Sequence, residues 1–228
     1  PPLRVNPEDA VWTHLVTLGL HGLRRGGFET GQNVAVIGMG VIGLCTVALC
    51  RAMGVRVIGI GHHAARLDIA RRLGGEYLVD PRAPGYGEVV ERFAGAAGID
   101  LAIVITNSWK AYRDACEMVR KDGTVAFIGF PGLGEPQPDF NPFDAHWFYT
   151  KALTLTSVSY IPRGDYKPEE VRFNLKRNYE VVLDLMAQGK LRLDPMVTHR
   201  FHYSEAPEAY RRLAQGGAEL AGVIFTWD

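Results

Sequence analysis

The sequence predicts an α/β fold built on a doubly wound, six-stranded parallel sheet with helices on both faces. Short apolar runs such as Val34–Ile37 do not alternate with polar residues, the pattern of strands buried on both faces. Helix-forming stretches separate these runs regularly from Asn33 to Gly129, and parallel strands need such right-handed crossovers. Glycines stand where the helices should stop, at Gly54, Gly74-Gly75 and Gly189.

In chain order, a helix is expected from Asn6 or Pro7 through Leu23, with Glu8 and Asp9 in its first turn, where the dipole favours them. Arg24-Arg25-Gly26-Gly27 closes it. Asn33–Ile37 is the first strand, Leu44–Met53 the crossover helix, and RVIGI (Arg56–Ile60) the second strand. Ala64–Leu73 is a helix, Tyr77–Val79 a short strand, Glu88–Phe93 a helix and Leu101–Ile105 the fourth strand. Lys110–Val119 then reads as a helix and Thr124–Gly129 as the fifth strand. The segment Phe130–Pro142 holds four prolines and two glycines and is read as a loop. A short helix over Phe143–Lys151, a sixth strand at Leu153–Ser157, a loop at Pro162–Pro168 and a long helix over Glu169–Gln188 complete the layered part. The tail is strand, helix, strand: His199–His202, Glu205–Leu213 and Gly222–Thr226.

The stretch with most chemistry is Gly38-Met39-Gly40-Val41-Ile42-Gly43, a G-x-G-x-x-G spacing between a buried strand and a helix. In a dinucleotide site the first glycine makes a tight turn, the second leaves room for a pyrophosphate, and the third lets helix and strand pack closely. The phosphates would meet free N–H groups at the helix N-terminus. The residue that ends the second strand faces the adenosine ribose. An acid there bonds the 2′-hydroxyl and repels a 2′-phosphate, since like charges ~4 Å apart cost ~1 kcal/mol in water and ~4 at an effective dielectric of 20. Here that residue is Gly61, followed by His62, His63 and Arg66. The expectation is NADP, with NAD as the second choice, and Arg66 as a bidentate phosphate ligand.

Composition narrows the class. Lys and Arg (25) balance Asp and Glu (25), which leaves no electrostatic footprint for nucleic acid or acidic lipid. No apolar run approaches the roughly 18–20 residues of a membrane span. Pro1-Pro2-Leu3-Arg4 opens no apolar leader. The three cysteines, Cys45, Cys50 and Cys116, are odd in number with two in one helix, which argues against a disulfide framework, and they lack the C-x-x-C spacing of a structural zinc. A cytoplasmic protein is expected.

These blocks carry a resemblance. GQNVAVIGMGVIGL (Gly31–Leu44), ARLDIARRLGGEYLVD (Ala65–Asp80), VRKDGTVAFIGFPG (Val119–Gly132) and VTHRFHYSEAPEAYRRL (Val197–Leu213) resemble, in order and spacing, the medium-chain dehydrogenase/reductase family of zinc-type alcohol and polyol dehydrogenases. The resemblance implies a Rossmann cofactor domain over residues 31–190, a helical lead-in over 1–30, and a C-terminal strand-helix-strand over 191–228 that belongs with a GroES-like catalytic domain. That domain, which carries the catalytic zinc and proton relay, has no counterpart here, so the chain is expected to be a fragment with no catalytic or metal-ligating residue of its own. The resemblance further implies that Thr106, Asn107, Gly129 and Phe130 lie along the cofactor, and that Ser157 and Val158 meet its carboxamide. His14 falls where some members carry an acidic zinc ligand; a structural role suits a lone histidine better. Thr17, one turn on, would lie near the nicotinamide. The basic stretch from Tyr160 to Tyr166, with Arg172, Lys176 and Arg177, would either reach a substrate carboxylate or form a solvated helix face. The implied partners are a small alcohol or carbonyl substrate and a second copy of the chain, joined at the sixth strand. A zinc-free quinone or enoyl reductase and a non-catalytic dinucleotide module are the alternatives.

Overall fold

Six strands, β1 (Asn33–Ile37), β2 (Arg56–Ile60), β3 (Tyr77–Val79), β4 (Ile99–Val104), β5 (Val119–Phe127) and β6 (Thr154–Ser157), pair in parallel in the order β3-β2-β1-β4-β5-β6. This is a computed structural model describing residues 4–217 and 219–227; residues 1–3, read above for a leader, lie outside the described residues. All five residues of β1 are buried, with Ala35 in register with Ile58 of β2 on one side and Ala102 of β4 on the other. The chain leaves β1 towards β2 and returns on the far side as β4, so a crevice opens between the diverging connections at the carboxyl edge.

The helices are α1 (Pro7–Ala10), α2 (Thr13–Arg25), α3 (Val41–Ala52), α4 (Ala64–Arg72), α5 (Tyr86–Ala94), α6 (Trp109–Met118), α7 (Leu175–Ala187) and α8 (Ala206–Gln215). Side-chain alternation along β1 sorts them. Val34 and Val36 join Leu20 of α2, Leu49 of α3, Ile69 of α4 and Val182 of α7 in one core. Ala35 and Ile37 join Phe93 of α5 and Tyr112 of α6 in the other. The expected doubly wound sheet is therefore present. Burial pushes the Cys45 and Cys50 thiols up to about 12 and Cys116 to about 11, so all three stay protonated. Among the described residues no helix is long and apolar enough to cross a membrane.

Several boundaries differ from the sequence reading. The single helix expected from Pro7 to Leu23 is broken at Val11–Trp12. Trp12 packs into the core, and its N–H bonds to the Asp9 carbonyl at 3.2 Å, which tightens the turn and ends α1. Asp9 is not a solvated dipole charge: it is buried, and its Oδ1 accepts the Leu193 N–H at 2.7 Å. Glu8 pairs with Arg200 at 2.6 Å. The two acids thus tie the start of the chain to its C-terminal part. α3 begins at Val41 rather than Leu44, because Gly40 already serves as its extended N-cap. β5 begins at Val119, not Thr124, through a register shift against β4 between Ile99 and Leu101. The expected helix over Phe143–Lys151 is a π-helical turn, Ala145–Thr150, capped by the Asp144 carboxylate. α7 begins at Leu175, not Glu169, since Asn174 caps it by accepting the Arg177 N–H at 2.8 Å, while the Leu175 N–H donates to the Pro162 carbonyl at 2.7 Å. Beyond α7, β7 (His199–His202) and β8 (Val223–Thr226) pair in parallel as a separate two-stranded sheet, joined through α8.

Replacing Asp9 by Ala leaves the buried Leu193 N–H without an acceptor and is expected to lower stability by ~1–3 kcal/mol in urea denaturation. Asp9→Asn keeps an acceptor oxygen and should recover most of the loss.

Candidate functional site

At the carboxyl ends of β1, β2 and β4 lies a cleft of about 430 Å³. Its floor and one wall bring together Gly38, Met39, Gly40, Gly61, Thr106 and the basic trio His62, His63 and Arg66. The glycine turn forms for local reasons. Gly38 takes a φ of +108°, which side-chain-bearing residues rarely adopt, and a Cβ there would touch the Thr106 N at 3.2 Å. Its own N–H donates to the Ile60 carbonyl at 2.8 Å, holding the turn against β2. A Cβ on Gly40 would meet nothing within 4 Å, so the floor is open there. A Cβ on Gly43 would collide with the Gly38 carbonyl oxygen. Val41, Ile42 and Gly43 form the first turn of α3, whose N–H groups have no intrahelical partner.

Met39 supplies a constraint that the sequence does not display. It is buried, and its side chain lies across β2, over Gly59 and Gly61. A Cβ on Gly61 would come within 2.6 Å of the Met39 Cγ. The absent carboxylate at position 61 therefore has a steric cause beside its electrostatic consequence.

The basic wall is unevenly compensated. Arg82 grips Asp80 with two bonds, at 2.8 and 3.1 Å, and also donates to the His62 carbonyl. These bonds hold the Asp80 carboxyl down at about 2. His62 and His63 lie with ring centroids 4.1 Å apart. Desolvation, then the His62, Arg66 and Arg82 charges, lower the His63 pKa below its ordinary value, against a smaller pull from Asp80. The Arg66 Nε is buried with no hydrogen-bond partner. Arg82 is not among the site residues expected from the sequence. Its place just past the third strand, at the same sheet edge as Gly61, was the available signal. Tyr86, Lys110 and Asp114 of the opposite wall carried no such signal.

Other expected positions lie outside this cleft. The Asn107 Oδ1 accepts the Phe130 N–H at 2.8 Å, and its carbonyl accepts the Gly132 N–H at 2.5 Å. Asn107 thus staples the β4–α6 turn to the loop after β5. Gly129 sits within this staple, where a Cβ would collide with the Thr106 carbonyl, and the Phe130 ring is exposed. Val158 is buried and its N–H is spent on the Phe127 carbonyl at 2.7 Å. Ser157 lines a second cavity of about 460 Å³ between α2 and the connection from β6 to α7, along with Arg172. Lys176 and Arg177 lie exposed on α7. The His14 Nδ1 lies 2.9 Å from the Tyr179 hydroxyl. Thr17 is fully buried, and its hydroxyl donates to the Thr13 carbonyl at 2.8 Å, so it does not face the cleft. Among the described residues no three His, Cys, Asp or Glu side chains converge as metal ligands.

The model of a family described as zinc-binding dehydrogenase matches residues 41–174. The chain is 26% identical to D-guloside 3-dehydrogenase of Escherichia coli K12, over 98% of this chain and 65% of that protein. Alcohol dehydrogenase TADH from Thermus sp. ATN1 superposes with a TM-score of 0.77 at 25% identity, over 99% of this chain and 61% of that one. A candidate zinc-binding dehydrogenase from Sinorhizobium meliloti 1021, bound to NADP, does so with a TM-score of 0.71 at 26% identity, over 98% of this chain and 60% of that one. The chain thus spans 60–65% of the length of these relatives.

The two helix-side glycines separate folding from site shape. Gly43→Ala must push the Gly38 turn aside and is expected to cost at least ~2 kcal/mol in thermal or urea unfolding. Gly40→Ala, whose methyl enters open space, should stay within ~1 kcal/mol of the parent.

Proposed function

Because this chain belongs to the zinc-binding dehydrogenase family, we propose that it is the NADP(H)-binding part of an enzyme that moves a hydride between nicotinamide and an alcohol or carbonyl carbon. The observation that carries the cofactor choice is the orphaned, buried Arg66 Nε on a cleft wall where position 61 offers no carboxylate. A buried donor without a partner is costly, and a 2′-phosphate would satisfy it. Support also comes from the NADP bound by the Sinorhizobium relative.

In this reading the bare Gly40 floor and the first-turn N–H groups of α3 receive the pyrophosphate, and Arg66 with His62 and His63 holds the 2′-phosphate. The bound cofactor supplies the hydride chemistry, while this chain binds and orients it. We assign no proton transfer to any residue here. The Lewis acid and proton relay are proposed to reside in the part of the relatives' length that this chain does not span. Residues 1–30 and 191–228 would return to that part together, as the Glu8–Arg200 and Asp9–Leu193 contacts suit. A homodimer along the outer edge of β6 is the proposed assembly, checked by sedimentation equilibrium.

Fluorescence titration of the protein is the direct test. NADPH should bind at least tenfold (~1.4 kcal/mol) more tightly than NADH. Arg66→Ala should remove most of that difference while leaving NADH within about twofold. Equal affinity for both cofactors, or an equal loss of both in the variant, would overturn the phosphate assignment.

A pH dependence follows from His63. Its folded pKa lies below the ordinary 6.5 and a phosphate dianion would raise it, so binding takes up a proton. NADPH affinity should therefore strengthen as pH falls below 6.5, NADH affinity should not, and His63→Gln should flatten the difference. Without cofactor the sign for stability is opposite in use. The unfolded chain binds the proton first, so stability declines as pH drops from 6.5 towards the lowered value.

A further inference from the structure

The second cavity, about 460 Å³, shares no lining residue with the cofactor cleft. Arg24 and Arg25 enter it from the last turn of α2, Arg172 from the segment before α7, and Ser157 and Ser159 from the exit of β6. We propose that this cavity is a second anion site, taking a phosphate dianion on the three guanidinium groups.

The arginines are positioned rather than loose. The Arg24 guanidinium carbon lies 3.6 Å from the centroid of the Phe173 ring, and its Nη1 donates to the Oδ1 of the fully buried Asn178. Arg25 reaches the Ser157 carbonyl at 3.3 Å and the Thr156 hydroxyl at 3.4 Å. The Arg172 guanidinium carbon lies 5.5 Å from the same Phe173 ring. Among the described residues, Arg177 pairs with Glu180 at 3.1 Å, whereas no carboxylate lies within ion-pair distance of Arg24, Arg25 or Arg172. Burial, then the Arg177 and Arg172 charges, bring the Arg24 pKa down to about 10. Like charges gathered beside an aromatic ring repel one another, and an anion among them converts that repulsion into attraction. Three guanidinium groups match a dianion better than a single carboxylate, and the two serine hydroxyls can donate to its remaining oxygens. His21 forms the back of the cavity, its Nε2 2.8 Å from the Tyr160 carbonyl, which fixes the strand exit against α2. Burial lowers the His21 pKa, so it adds a wall rather than a fourth charge.

The probes are inorganic phosphate and glycerol 3-phosphate, titrated calorimetrically into the protein against chloride at matched ionic strength. Saturable binding is expected that persists in Arg66→Ala, and in that background is weakened at least tenfold by Arg172→Ala or Arg25→Ala (~1.4 kcal/mol). Arg172→Ala should retain NADPH affinity, which keeps this site's failure distinct from failure of the cofactor reading. Tighter binding of glycerol 3-phosphate assigns an ester as the natural ligand, and tighter inorganic phosphate the free ion; either upholds the site. Absence of saturable binding, or binding lost in Arg66→Ala and kept in Arg172→Ala, overturns it.

Discussion

The contact between Gly43 and the Gly38 carbonyl sets the geometry from which the rest follows. Because no Cβ intervenes, α3 can start one residue after the Gly40 cap and lie directly against the end of β1. Its N-terminal N–H groups then face the crevice where the strand order reverses, which is the one edge of a parallel sheet left open by its crossovers. A larger residue at 43 would displace either the turn or the helix, and both carry core residues, Met39 in the turn and Leu44 and Val47 in the helix.

Charge is distributed over the molecule with a similar economy. On the cleft wall, Arg82 is neutralised by Asp80, and the pair braces the His62 backbone rather than offering a free charge. Arg66 has no such partner at its Nε. A guanidinium whose Nε has no partner among the described residues, next to a braced one, makes the cleft selective in position as well as in sign. Between α2 and α7 the arrangement recurs with Arg24 stacked on Phe173.

How much of this the sequence disclosed depends on the range of the interaction. β1 and β2 are legible because burial on both faces removes polar residues from short runs, and the Gly38–Gly43 turn because backbone conformation restricts residue type. Interactions between distant segments left no local trace. Asp9 looks like any first-turn acid, yet its acceptor role depends on Leu193, far along the chain. Asn107 reads as a turn residue, whereas its side chain is consumed by the Phe130 N–H. The start of α7 is hidden because residues 169–173 have acceptable helix propensity, and only the Pro162 carbonyl and the Asn174 cap decide against it. Arg66 stood out by type and position; that its Nε is orphaned required the packed structure.

Met39 lies over Gly59 of β2 and over Gly61 just past its end, and so constrains how such a protein can change over generations. A mutation of Gly61 to an acid brings its Cβ against the Met39 Cγ and Cβ before its carboxylate can meet a ribose, so on its own it harms packing and offers nothing for selection to retain. Shortening of residue 39 relieves only part of this, because its Cβ alone stands 2.7 Å away, so the turn has to give way as well. The mutational path away from the present cleft therefore runs through several coupled positions, and a search that samples position 61 alone would miss it.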